Sequence, residues 1–212
     1  HRFALVVDFG LRSPAALLLA EDTALNAWVV CREWAPDDCS TPELGRLLAR
    51  ELVGTPLAFA YADPAGQARN AQTRVADLDV LAAQAPDGIG RRPLITTDPV
   101  KRDIVAGCTR LNVAFERRRL LIAGDVFDAG LRAPANRRTL ARALSGYRLD
   151  ERTGEPAKDG THDHHIDALR YFAQHQLWHA SPVDGRLRVG ADDKPQPTRA
   201  AGIIRGTGRW QR

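Results

Sequence analysis

Two aspartates and three histidines fall within six residues of the stretch THDHHIDALRYF, Thr161–Phe172. Asp163 and Asp167 are four residues apart and His164 stands three before Asp167. On a helix turning ~100° per residue they share one arc with Tyr171. Two more acids close apolar runs: Asp8 ends FALVVD and Asp63 follows PLAFAYA. A carboxylate there loses hydration unless something positive compensates it. Several such carboxylates gathered in one place repel one another, and a divalent cation between them relieves the repulsion. Carboxylate and water ligands suit Mg²⁺ or Mn²⁺. Two such ions ~3.5–4 Å apart can activate a water and stabilise the leaving oxygen of a phosphodiester.

Taken singly, each residue has a plainer explanation. An aspartate after a strand forms turns or caps helices, which covers Asp8 or Asp63 alone. Asp163 suits the N-cap of the last helix. His162, His164 and His165 could be a solvated helix start. They could also be a zinc site, although no cysteine lies near and no second histidine pair has zinc spacing. These single explanations weaken when the acids are taken together and in order.

The elements that must position these residues are legible in outline. FALVVDFG, PAALLLAED and ALNAWVVCREW, separated by turn signals, predict three consecutive antiparallel strands. STPELGRLLARELVG is a helix capped by Ser40 or Thr41, with Pro42 in its first turn and Gly54 at its end. Leu44, Leu47, Leu48 and Leu52 form its core stripe. PLAFAYADPAG predicts a strand, QTRVADLDVLAAQ a helix and RPLITTD a strand. PVKRDIVAGCTRLNVAFERRR predicts a long helix with Ile104, Cys108, Leu111 and Phe115 on one face. LLIAG is a short strand and ANRRTLARALSGY a further helix. The last helix runs from Asp163 to about Trp178, with Ile166, Leu169, Ala173 and Leu177 inward. The fold class is therefore α/β: a mixed sheet of three antiparallel strands followed by parallel ones, flanked by helices. Strand ends gather at one edge of such sheets, where sites are built. Two strand-end acids and a helix-borne acid arrive in the order a ribonuclease-H-like fold needs.

The chain has 212 residues and a formal net charge of +4. Ser181–Arg212 carries seven basic and three acidic residues, so residues 1–180 are neutral overall. Two units are expected: a domain over 1–180 and a basic, Pro- and Gly-containing tail over 181–212. Nucleic acid would be met through local basic patches. Lys101 and Arg102 could hold a phosphate, or simply solvate a helix face. Arg117, Arg118 and Arg119, with Arg137 and Arg138, are candidate grips on a DNA backbone. Cys31, Cys39 and Cys108 read as reduced thiols. No apolar run reaches membrane-spanning length and no signal peptide is visible. The chain contains no methionine, which predicts that it belongs to a longer polypeptide.

DHHIDALRY resembles the last motif of the nuclease domain of tailed-phage large terminases, where a D-H-x-x-D-A-L-R-Y segment opens the final helix. VVDFG resembles that family's first acidic motif and YADPAG its second. VKRDIVAGCTRLNVAFERRRLLI resembles the helix and short strand between the second and third motifs. The resemblance covers about residues 3–179. It implies a ribonuclease-H-like nuclease domain that cuts concatemeric viral DNA with two Mg²⁺ or Mn²⁺ ions. By resemblance Asp8 bridges the ions, Asp63 binds one, and Asp167 binds from the last helix. His164 is a ligand or orients one, and Asp163 assists or replaces Asp167. The implied partners are double-stranded DNA, the portal protein, the small terminase subunit and an N-terminal ATPase domain of the same polypeptide. No P-loop motif is present in this chain. The implied location is the cytoplasm of an infected bacterium. The tail would dock to the portal or touch DNA. Alternatives on related folds are a non-catalytic DNA-guiding or portal-docking module, a junction resolvase or transposase core, and an actin-like ATPase. The last lacks its second D-x-G-G-x loop here.

Overall fold

A computed structural model describes residues 2–10, 13–69, 74–83, 95–96, 104–148, 150, 152–153, 155–157, 159–177 and 203–204. The first three strands are β1 (Phe3–Asp8), β2 (Ala15–Asp22) and β3 (Ala27–Trp34), joined antiparallel in sequence order. Helix α1 (Thr41–Glu51) follows, then β4 (Leu57–Ala62), α2 (Asp77–Ala83) and the two-residue β5 (Ile95–Thr96). Next come α3 (Ile104–Glu116), β6 (Leu120–Ala123), α4 (Gly124–Arg132), α5 (Leu140–Gly146) and α6 (Asp163–Phe172). Residues Ala173–Leu177 extend α6 as a π-helical turn, and β7 (Ile203–Ile204) is the last strand. The sheet order is β5-β4-β1-β2-β3-β6-β7. β4 is parallel to β1 and β6 is parallel to β3.

Strand alternation divides the core into two layers. Leu5, Val7, Ala16 and Leu18 face α1 and α2, packing on Leu44, Leu48 and Leu81. Ala4, Val6, Leu17 and Leu19 face the opposite way, with Leu111, Leu140, Ile166, Leu169 and Phe172 from α3, α5 and α6. The antiparallel trio and the parallel strands agree with the sequence pattern. So does α1: the Ser40 N–H donates to the Glu43 carboxylate at 2.8 Å, and Gly54 takes the left-handed conformation (φ +73°) after the helix.

Two details differ from expectation. Helix α4 was not anticipated. It follows β6 with no intervening loop, packs against α5, and directs Val126 and Phe127 toward the core. ANRRTLARALSGY is helical only from Leu140, because Thr139 caps it by accepting from the Arg142 N–H. Arg137 and Arg138 therefore stand in a loop. The described part of α3 begins at Ile104, so Lys101 and Arg102 lie outside the described residues, as does the tail apart from Ile203–Ile204. Cys31, Cys39 and Cys108 are free thiols. Among the described residues no helix is long and apolar enough to cross a membrane.

Candidate active site

Asp8 is the last residue of β1, and the alternation that turns Ala4 and Val6 toward α6 turns Asp8 the same way. On β4, Phe59 and Tyr61 face that layer, and the next residue in their series is Asp63. The parallel register pairs Val6 with Tyr61 and Val7 with Ala62, so Asp63 follows beside Asp8. The Asp63 N–H donates to the Val7 carbonyl at 2.9 Å. Two carboxylates thus end adjacent strands, which lie ~4.8 Å apart in a sheet. Asp63 also caps a short 3₁₀ helix (Pro64–Gln67), accepting from the Ala65 N–H at 2.9 Å.

Helix α6 crosses this edge with its first turn. His164 sets Nδ1 2.6 Å from Oδ2 of Asp8. An ionised carboxylate can only accept, so Nδ1 carries the proton. Asp8 is 4% exposed, and burial pushes its carboxyl up to about 6. The His164 bond opposes that rise, while the nearby charges of Asp63 and Asp167 add to it. The same bond to Asp8 holds the His164 imidazole above its ordinary value, against its own burial. The two shifts thus have different causes: burial lifts Asp8, and the short bond to Asp8 lifts His164. Desolvation, then Asp8, Asp63 and Asp167, push the buried phenol of Tyr171 far up. These four groups therefore share one electrostatic neighbourhood.

The remaining residues of the motif diverge. Asp167 accepts from Arg170 through Nε (3.2 Å) and Nη2 (2.9 Å). Gly107 of α3 makes room for Arg170, since a Cβ there would lie 2.5 Å from its Cδ. Asp163 stands at the first turn of α6, 4.0 Å from Nε2 of His164, and its Oδ1 is buried with no hydrogen-bond partner among the described residues. His162 turns outward to Asp159 at 2.6 Å and rests on Gly146. His165 is fully buried, 3.5 Å from Glu33, and burial holds it down to about 3. Three histidines with three separate partners do not make a zinc site.

This donor set has the character of a site for a hard divalent cation. Hard carboxylate oxygens dominate it, one of them orphaned on Asp163, and the charges on Asp63 and Asp167 already disfavour ionised Asp8. That chemistry fits Mg²⁺ or Mn²⁺. The assembly is not ready-made: among the described residues no three metal-ligating side chains form a cluster. Asp8, Asp63 and Asp167 are each held by a protein partner instead. Two clefts among the described residues, one beside Trp28 and Arg119 and one beside Cys108 and Tyr147, contain none of these acids.

The basic candidates separate. Arg117, Arg118 and Arg119 precede β6, which runs parallel to β3 and hence to β1. They stand at the edge where β1 begins, roughly 17 Å from Asp8 at 3.3 Å per residue. The Arg119 carbonyl accepts from Trp28 at the start of β3. Arg137 is exposed on the acidic edge, close enough to Glu33 to lower its carboxyl against the rise that burial causes. Arg138, expected as a surface grip, is 8% exposed with its guanidinium committed to protein acceptors. Gly10 closes the VVDFG motif, where only Asp8 was expected to serve the site. A Cβ there would lie 2.4 Å from Cε1 of His164. Its place in that motif, two residues after Asp8, was the sequence signal for it.

The mixed sheet and its helices form a ribonuclease-H-like fold. Within that class, the fold is similar to that of a phage large-terminase nuclease domain. The nuclease domain of the phage P22 large terminase matches with a TM-score of 0.54 and 16% identity over 80% of this chain and 79% of that one. The large-terminase nuclease of thermophilic phage G20c matches at 0.49 and 16%, covering 82% of each chain. The phage SPP1 large-terminase nuclease domain with bound Mn matches at 0.47 and 18%, covering 82% of this chain and 86% of that one. No family model matches the chain, and no curated protein matches it.

Proposed function

We propose that this chain is a metal-dependent DNA endonuclease, the nuclease part of a large terminase that cuts concatemeric viral DNA during packaging. One observation carries the reading: Asp8, at the end of β1, is bonded by His164 while Asp63 and Asp167 both raise its carboxyl. The fold shared with the P22 domain supports it. In this reading Asp8, Asp63 and Asp167 are catalytic, and Asp163 and His164 join them as ion ligands. When bound, two Mg²⁺ or Mn²⁺ ions lower the cost of ionising an attacking water and of charging the departing 3′ oxygen. The chain's own groups fix the geometry. β1 and β4 hold two carboxylates side by side, His164 orients Asp8, and Arg170 orients Asp167. Arg137 grips a backbone phosphate near the site. Hydrolysis proceeds by in-line attack on phosphorus, with no covalent protein–DNA intermediate.

The proposed partners are double-stranded DNA, the portal protein, the small terminase subunit and an ATPase domain of the same polypeptide. The proposed setting is the infected bacterium's cytoplasm, with the region 181–212 as an arm toward portal or DNA. A second reading, a non-catalytic DNA-guiding or docking module on this fold, draws support from the lack of a preformed three-ligand cluster among the described residues.

Supercoiled plasmid separates the two. Wild-type chain is incubated with it in Mn²⁺, in Mg²⁺ and in EDTA, beside Asp8→Ala and Asp167→Ala. The expected result is metal-dependent nicking and linearisation, absent in EDTA and lost in both folded variants. DNA binding without cleavage under any metal selects the docking module. A strong preference for four-way junctions over linear duplex would point to a resolvase.

A further inference from the structure

Arg138 is an arginine in a loop, where solvent is its usual environment. Here it is buried and connects three segments. Nη1 donates to the Ser13 carbonyl at 2.6 Å, Nη2 to the Pro36 carbonyl at 2.7 Å, and Nε to Asp37 at 3.1 Å. Asp37 is 59% exposed, so its charge is screened, and two of the three acceptors are neutral carbonyls. Burying a cation on such terms is costly, and its stabilising return is small. The arrangement is better explained by what the arginine holds in place.

Ser13 returns its N–H to the Gly10 carbonyl at 3.0 Å, closing the turn that follows β1. Gly10 packs against the His164 ring with no room for even a methyl group, since a Cβ there would lie 2.4 Å from Cε1. His164 in turn meets Asp8. Direct contacts therefore lead from Arg138 through Ser13 and Gly10 to His164 and Asp8. A planar fork can reach carbonyls on two loops at once, and a lysine ammonium on the same stem cannot reproduce that geometry.

We propose that Arg138 is a positioning residue of the acidic centre, holding the turn at Gly10 and Ser13 so that it backs His164 onto Asp8. The proposal rests on the reading of Asp8 and His164 as part of the reactive centre. It makes Arg138 a residue that touches neither DNA nor ion and acts through the turn.

Two variants test it. Arg138→Lys keeps the charge and loses the fork. Asp37→Asn weakens one anchor at an exposed position. The first readout is the NMR signal of the His164 Nδ1 proton in histidine-labelled, metal-free protein, assigned by its loss in His164→Gln. The second is plasmid nicking in Mn²⁺, with kcat and KM for DNA separated. Arg138→Lys, folded by circular dichroism and melting cooperatively, is expected to lose or broaden the His164 signal. Its kcat should fall at least tenfold with KM within twofold, and Asp37→Asn should shift both readouts less, in the same direction. A folded Arg138→Lys with an intact His164 signal overturns the proposal, as does a raised KM at unchanged kcat. Should Arg138→Lys fail to fold, Asp37→Asn decides, and an intact His164 signal in it is again the overturning result. If wild-type chain cuts no DNA, the nuclease reading fails while the NMR signal still tests the hold of Arg138 on His164.

Discussion

The carboxyl of Asp8 illustrates how residue chemistry and stability oppose each other at this edge. Its value of about 6 in the fold exceeds the ordinary 3.8. Below 3.8 it is protonated in both folded and unfolded chains and costs nothing. The cost grows from 3.8 to 6 and is complete above 6, on the order of 1–3 kcal/mol. Asp8→Asn is therefore expected to stabilise the chain by that amount at pH 8 in EDTA, and to leave it unchanged near pH 3.5. Urea unfolding at the two pH values checks this, and a less stable variant at pH 8 would refute burial as the cause. Gly10→Ala acts on the same pair from the other side. Its methyl would meet the His164 ring at 2.4 Å and the Ser13 carbonyl at 2.6 Å. Nicking should drop at least tenfold in a protein that still melts cooperatively. Asp8 and Asp63 were legible as acids ending apolar runs. The same alternation also tells their direction, since Ala4, Val6 and Asp8 form one series and Phe59, Tyr61 and Asp63 another. Arg138 was not legible. Nothing in an Arg-Arg pair says which side chain turns inward when the acceptors are backbone carbonyls more than a hundred residues away in the chain.

Among the elements, α6 bears most of the weight. One face of it presents His164, Asp167 and Tyr171 to the acidic edge, and the other buries Ile166, Leu169 and Phe172 in the core. Phe172 is fully buried, edge-on to Trp28 at 5.2 Å and to Tyr61 at 6.0 Å between ring centroids. Phe172→Ala should cost about 3–5 kcal/mol, measured by urea unfolding. A domain of this size has roughly 5–15 kcal/mol in total, so the loss would be felt in every assay at 37 °C. The helix period and its apolar stripe were plain in DHHIDALRYF, and the hydrophobic alternation of β1 to β3 was equally plain. Helix α4 escaped because it begins directly after β6, with no loop or capping residue to announce it. Its N-cap, Ala123, makes no side-chain hydrogen bond.

Across the whole molecule, strand direction decides which charges can serve the site. β6 is parallel to β1 by way of two antiparallel steps, and that sends Arg117–Arg119 to the far edge. No run of three arginines reveals this without the sheet order. Arg137 stays on the acidic edge. Arg137→Ala should weaken DNA binding and reduce the slope of log affinity against log salt by about 1. Replacing Arg117, Arg118 and Arg119 together by alanine should leave kcat within twofold at saturating DNA. Salt titrations of binding, paired with nicking rates, separate the two edges. The order of elements has a consequence for biogenesis as well. Asp8 and Asp63 leave the ribosome early, but the layer that buries Val6 and Tyr61 also needs α6, which comes a hundred residues after Asp63. One helix closes the core and delivers His164 and Asp167 in the same docking step. A nascent or truncated chain that stops before Phe172 therefore lacks a finished fold and a finished centre together, and whatever chemistry these carboxylates perform switches on only when translation of this unit is complete.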